Sequence, residues 1–62
     1  MNKRINIGDL VRMSTHTTGL VGIAVDRDYH TNSILIGIKW FGGSGKVDWE
    51  PESWLEVVSE NR

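Results

Sequence analysis

No cysteine occurs in this chain. Disulfides and thiolate metal sites are therefore excluded as sources of stability. The length, 62 residues, allows one domain with a thin core, and a chain this short buries a small share of its surface. Self-association is the remaining common source of burial. A surplus of base is also missing: seven Lys and Arg stand against eight Asp and Glu, for a net charge of -1. A general nucleic-acid binder wants a basic stripe, and this balance does not supply one. No apolar run approaches the length of a transmembrane helix. Met1-Asn2-Lys3-Arg4 leads into no signal-type hydrophobic region, so a soluble, cytoplasmic protein is expected. No segment keeps a helical period over ten residues, and neither an internal repeat nor a linker is visible.

What is present is concentrated in residues 33–58, which hold all three tryptophans and the only phenylalanine. Ile34, Leu35, Ile36, Ile38, Trp40 and Phe41 form a nearly continuous β-branched and aromatic run, the composition of a half-buried strand. With a side-chain period of two, Ile34, Ile36, Ile38 and Trp40 share one face, and Leu35, Gly37, Lys39 and Phe41 the other. Lysine is not buried unpaired, so the isoleucine face is expected to be the core face. Gly37 permits strong bending or close approach from outside. Gly42-Gly43-Ser44-Gly45 reads as a turn. A phosphate loop is not expected here, because Lys46 is followed by the strand-like Val47, Asp48 and Trp49 rather than by Ser or Thr and a helix. Pro51 ends the returning strand, Pro51-Glu52-Ser53-Trp54 reads as one helical or 3-10 turn, and Leu55-Glu56-Val57-Val58 as a last strand.

Upstream, Gly8-Asp9 supplies a turn into a strand whose Val11 and Met13 point inward. Ser14-Thr15-His16-Thr17-Thr18 is a polar loop. Residues 19–25 read as a second strand, with Val21, Ile23 and Val25 sharing one face and Gly22 and Ala24 making the other, outer face thin. Residues 26–33 are polar and read as a connection. The expected architecture is all-β: an SH3-like five-stranded small barrel with one 3-10 turn before the last strand. Its expected organisation is a flexible N-terminal lead over residues 1–6, the barrel over 7–58 and a tail over 59–62.

Gly8-Asp9-Leu10-Val11-Arg12, Gly19-x-x-Gly22-Ile23-x-Val25, Ile38-Lys39-Trp40 and Pro51-x-x-x-Leu55-Glu56-Val57-Val58 resemble the recurring anchors of small Tudor- and KOW-type barrels. Most similar are the short uncharacterised SH3-like proteins encoded by tailed phages, those of cyanobacteria included. That resemblance implies a phage or mobile-element accessory protein working in the host cytoplasm. The outline is also similar to the plasmid-type dihydrofolate reductases, tetrameric SH3-like barrels, through Gly8-Asp9-x-Val11-Arg12, Gly22-Ile23 and Val47-x-x-x-Pro51-x-x-x-Leu55-Glu56. That family's active pore uses Gln-Ile-Tyr after the valine, and here those positions are Asp48, Trp49 and Glu50; a pore lysine falls on Met13. An acidic triplet repels anionic cofactor phosphates, so the shared outline extends to fold and not to activity.

No catalytic constellation and no cofactor are expected. His16 and His30 lie in separate loops without metal-ligand spacing, although Asp26 and Asp28 are near the second. Asp48, Glu50 and Glu52 alternate along one face, without the second, apolar environment that acid–base pairs need. Tyr29, Phe41, Trp49 and Trp54 exceed what a thin core absorbs, and such side chains commonly bind partners. The expected function is thus a non-enzymatic protein-binding or self-assembling module. Its surface combines Tyr29, Phe41, Trp49 and Trp54 with Asp48, Glu50 and Glu52, its partner is a protein, and a homo-oligomer is expected. The alternative is weak nucleic-acid binding through Lys3, Arg4, Arg12 and Arg27, the bases of the N-terminal half.

Overall fold

The computed structural model describes residues 4–15 and 20–60. Five strands follow one another: β1 (Leu10–Met13), β2 (Gly22–His30), β3 (Ser33–Trp40), β4 (Asp48–Pro51) and β5 (Leu55–Ser59). A 3-10 turn, Glu52–Trp54, lies between β4 and β5. All pairings are antiparallel, and the sheet order is β4-β3-β2-β1-β5. The all-β class, the five strands and the 3-10 turn before the last of them are as the sequence led us to expect.

The connection between β4 and β5 shapes the whole sheet. These strands stand at its two edges, which in a flat sheet would lie roughly 19 Å apart at about 4.8 Å per strand. Three residues of 3-10 turn join them, a reach of roughly 6 Å at about 2 Å per residue. The sheet must therefore roll up on itself. Among the described residues no backbone pairing joins β4 to β5, so the roll remains open there and the barrel is not closed.

The concave side of the roll holds the core: Ile5, Val11, Ala24, Ile36, Ile38 and Leu55, with Met13, Ile34, Trp40 and Val57 packed against them. Registers show how the rows meet. Val57, Val11, Gly22 and Trp40 lie in one row across four strands, and Ala24, Ile38 and Asp48 in the next. The isoleucine face of β3 is thus the core face, and Val11 and Met13 point inward as expected.

Strand β2 departs from expectation in two ways. Its inward residues are Gly22 and Ala24, both buried, while Ile23 is only partly buried. The thin face is the inner one. The reason is volume: Ile38 and Trp40 of β3 stand over these positions, and a Cβ at Gly22 would lie 2.5 Å from Ile38 Cγ2. A small roll cannot hold large side chains on both adjacent strands. Residues 26–30, expected as a loop, continue β2 and pair with β3 from Asp26–Gly37 to His30–Ser33. Only Thr31 and Asn32 turn the chain, and no non-glycine residue among those described has positive φ. The usual hairpin signal of Asn-Gly or Asp-Gly is therefore neither present nor required here.

A bulge at Val25, between Ala24 and Asp26, links these halves. One extra residue exchanges the two faces of a strand. Before it the even-numbered residues face the core. After it Arg27 pairs with Ile36 and Tyr29 with Ile34 on the core side, leaving Asp26, Asp28 and His30 on the convex face.

The segment before β1 belongs to the domain rather than leading into it. Ile5 is 2% exposed. Its amide donates to Glu52 Oε2 at 3.0 Å, and its carbonyl accepts from the Arg27 guanidinium. The following turn is stapled down by Asp9, itself 1% exposed, whose Oδ2 accepts the Asn6 amide at 2.9 Å. Gly8 and Ala24 donate to the carbonyls of Ala24 and Asp9, at 2.8 and 2.9 Å. The expected flexible lead therefore supplies a core residue, and only residues 1–3 of it lie outside the described residues.

Candidate functional site

All five aromatic residues are described, and four of them stand largely in solvent: Tyr29 is 62% exposed, Phe41 54%, Trp49 43% and Trp54 55%. Only Trp40 packs against the core. Strand geometry distributes the four. Trp49 pairs with Gly37 and so lies on the convex face. A Cβ at Gly37 would meet Val47 Cγ1 at 2.8 Å, Trp49 Cη2 at 3.2 Å and Asp26 Cβ at 3.3 Å. The absence of that Cβ lets the indole lie across β3, with Val47 beside it. Tyr29 is on the other side, in the row of Ile34. Phe41 follows the far end of β3, its amide donating to the Val21 carbonyl at 2.9 Å. Seven residues of extended chain separate Phe41 from Ile34, roughly 23 Å. Trp54 ends the 3-10 turn, and its carbonyl accepts from the Ser14 amide at 2.8 Å and hydroxyl at 3.0 Å.

The acids are not interleaved with these rings. Asp48 and Glu50 pair with Ile38 and Ile36 and share the concave side of β4, opposite to Trp49. Glu52 is committed to the Ile5 amide. A single acidic–aromatic surface is therefore not formed: alternation along β4 sends Trp49 one way and its acidic neighbours the other. Trp49 instead has Val47 beside it over Gly37, and Leu35 and Lys39, placed by the sequence on the outer face of the long strand, flank that glycine on the same convex side.

A cleft of about 420 Å³ opens between the β2–β3 turn and the 3-10 turn, lined chiefly by His30, Asn32, Ile34, Pro51, Glu52 and Ser53. Tyr29 and Trp54 directly flank its lining residues in sequence. His30 Nε2 is 3.3 Å from Asp28 Oδ2. Among the described residues no group of three or more His, Cys, Asp or Glu is placed to hold a metal ion; His16 lies outside them. No helix among them is long and apolar enough to cross a membrane.

The basic residues of the alternative site are dispersed. Arg12 forms an exposed ion pair with Glu56 across β1 and β5. Arg27 is turned to the core side by the Val25 bulge and holds Ile5. Arg4 is exposed, and Lys3 lies outside the described residues. Few phosphates can be neutralised by such a set, so low affinity in salt is expected. At about 150 mM salt, near physiological ionic strength, a gel shift is expected to retain neither DNA nor RNA. Retention of either would restore the basic-end reading.

The chain matches no protein-family model, no curated protein and no solved structure.

Proposed function

We propose that this protein is a non-enzymatic binding module, an accessory protein that takes a protein partner on its exposed aromatic side chains. One observation supports this reading: the core is built from aliphatic residues and Trp40, while Tyr29, Phe41, Trp49 and Trp54 remain in solvent. Large aromatics bring much contact area at little entropic cost, and they dominate interface energetics. Trp49 on the convex face, and Tyr29 and Trp54 beside the cleft, are the two places where a partner gains most.

The test uses the full chain immobilised in cell extract, beside its Trp49→Ala and Trp54→Ala variants. Both variants are expected to melt within about 4 °C of the parent, since exposed substitutions stay within about 0.5 kcal/mol. One or both are expected to lose a captured protein, an effect of about 30-fold or more in affinity for an aromatic anchor. Variants that unfold, or a parent that captures nothing, would make these rings structural and end the reading.

A further inference from the structure

The chain before the Asn6–Asp9 turn is fastened differently from the chain after it. We infer that this segment, Arg4 and Ile5 among the described residues, is a strap that opens as a unit while the five-stranded sheet stays folded. The inference goes beyond the binding reading above and does not depend on it.

The sheet is complete without the strap, since its order runs from β4 to β5 with no strand from this segment. The backbone of Ile5 is bonded to side chains instead. Its amide donates to Glu52 Oε2 at 3.0 Å, and its carbonyl accepts from the Arg27 guanidinium. Ile5 itself is in the core, while Arg4 is exposed. One apolar side chain and two contacts to charged side chains therefore hold the strap closed.

Water can replace both of those contacts. Glu52 is only partly buried and lines the open cleft, so its carboxylate is hydrated when the amide leaves. Arg27 Nε is buried in the closed arrangement with no hydrogen-bond partner. A buried donor without an acceptor is a standing cost, and opening relieves it by admitting water.

The other end of the strap is fixed. Gly8 donates to the Ala24 carbonyl and Ala24 to that of Asp9, which pins the turn to β2. Asp9 also closes the turn on Asn6, donating to its carbonyl at 3.0 Å and accepting its amide at 2.9 Å. The strap swings about the point where it enters this turn. Its opening bares the apolar place that Ile5 fills, between the Arg27 guanidinium and the Glu52 carboxylate. The strap is thus a gate on the concave side of the roll.

Hydrogen exchange of the full chain, read amide by amide by NMR across a series of low urea concentrations, tests this. Ile36 and Ile38 of β3, a strand paired on both sides, report on the sheet. An opening that exposes one isoleucine is expected to protect the Ile5 amide about 10²–10³-fold. Urea acts in proportion to the surface exposed, so Ile5 protection should fall less than about 2-fold per molar, against about 5-fold or more for β3. Arg27→Met and Glu52→Ala should each lower Ile5 protection about 10-fold, and Glu52→Gln, which keeps an acceptor, only about 3-fold. Ile5 protection that falls with urea in parallel with β3 would show that the strap leaves only when the whole fold does, and would overturn the inference. An unprotected Ile5 amide, or one indifferent to both the Arg27 and Glu52 changes, would overturn it too. The urea series on the parent needs no variant, so it decides the matter even where a variant fails to fold.

Discussion

Gly22→Val is expected to remove a large part of the folding free energy of this protein. A Cβ at this position would lie 2.5 Å from Ile38 Cγ2, 2.8 Å from Trp40 Cε3 and 2.9 Å from the Lys39 carbonyl oxygen. Ile38 is wholly buried, and the carbonyl is backbone of the neighbouring strand, so neither has room to retreat. Overpacking of a tight core costs about 1–3 kcal/mol and sometimes more. A domain of this size has about 3–9 kcal/mol in total, at about 0.05–0.15 kcal/mol per residue. Gly22→Ala should already destabilise measurably, and valine more. Gly37→Ala is the control: its new Cβ meets the side chains of Val47, Trp49 and Asp26, which are exposed and able to shift. Denaturant titration should order the three as Gly37→Ala, Gly22→Ala, Gly22→Val from least to most destabilised. A Gly22→Val midpoint equal to the parent's would show that the concave side is not packed as described.

Deletion of residues 1–6 is expected to have an effect of similar size. Ile5 is a core residue, and loss of a buried isoleucine side chain costs about 2–5 kcal/mol. The deletion also removes the peptide group that Glu52 and Arg27 hold, and a partly buried charged group left without its partner adds to the cost. The melting temperature should fall by more than about 10 °C, at about 4–8 °C per kcal/mol for a small domain. Ile5→Val, which removes one methylene, should cost only about 0.5–1.5 kcal/mol. A truncated chain that melts with the parent would return these residues to the status of a flexible lead.

The candidate surface was legible in part. That a chain this short cannot enclose all four further rings follows from composition; that each of Tyr29, Phe41, Trp49 and Trp54 stands in solvent comes only from the fold. Their grouping was not legible. Trp49 is separated from Asp48 and Glu50 by strand alternation, and from Phe41 and Tyr29 by the length of the β2–β3 hairpin. The basic set is dispersed for a related reason. Arg12 and Arg27 look like free cations in sequence, but each meets its contact, Glu56 or the Ile5 carbonyl, only when distant segments come together.

The local features of this fold were determined by the sequence itself. The period-two isoleucines of β3, the glycine turn after Phe41, with Gly42 and Gly45 at φ of 82° and 86°, and Pro51 before the 3-10 turn each act within a few residues. The core face of β3, the hairpin that joins it to β4 and the place of the helical turn follow from them. Tertiary structure alone decided which side of β2 faces inward, where its phase reverses at Val25, how far it runs, and whether Ile5 is inside. Those outcomes depend on the volume that Ile36, Ile38 and Trp40 leave free on the concave side. The strand that must fit this space is chosen by packing between residues far apart in the chain, so no short stretch of β2 or of the N-terminus carries the answer.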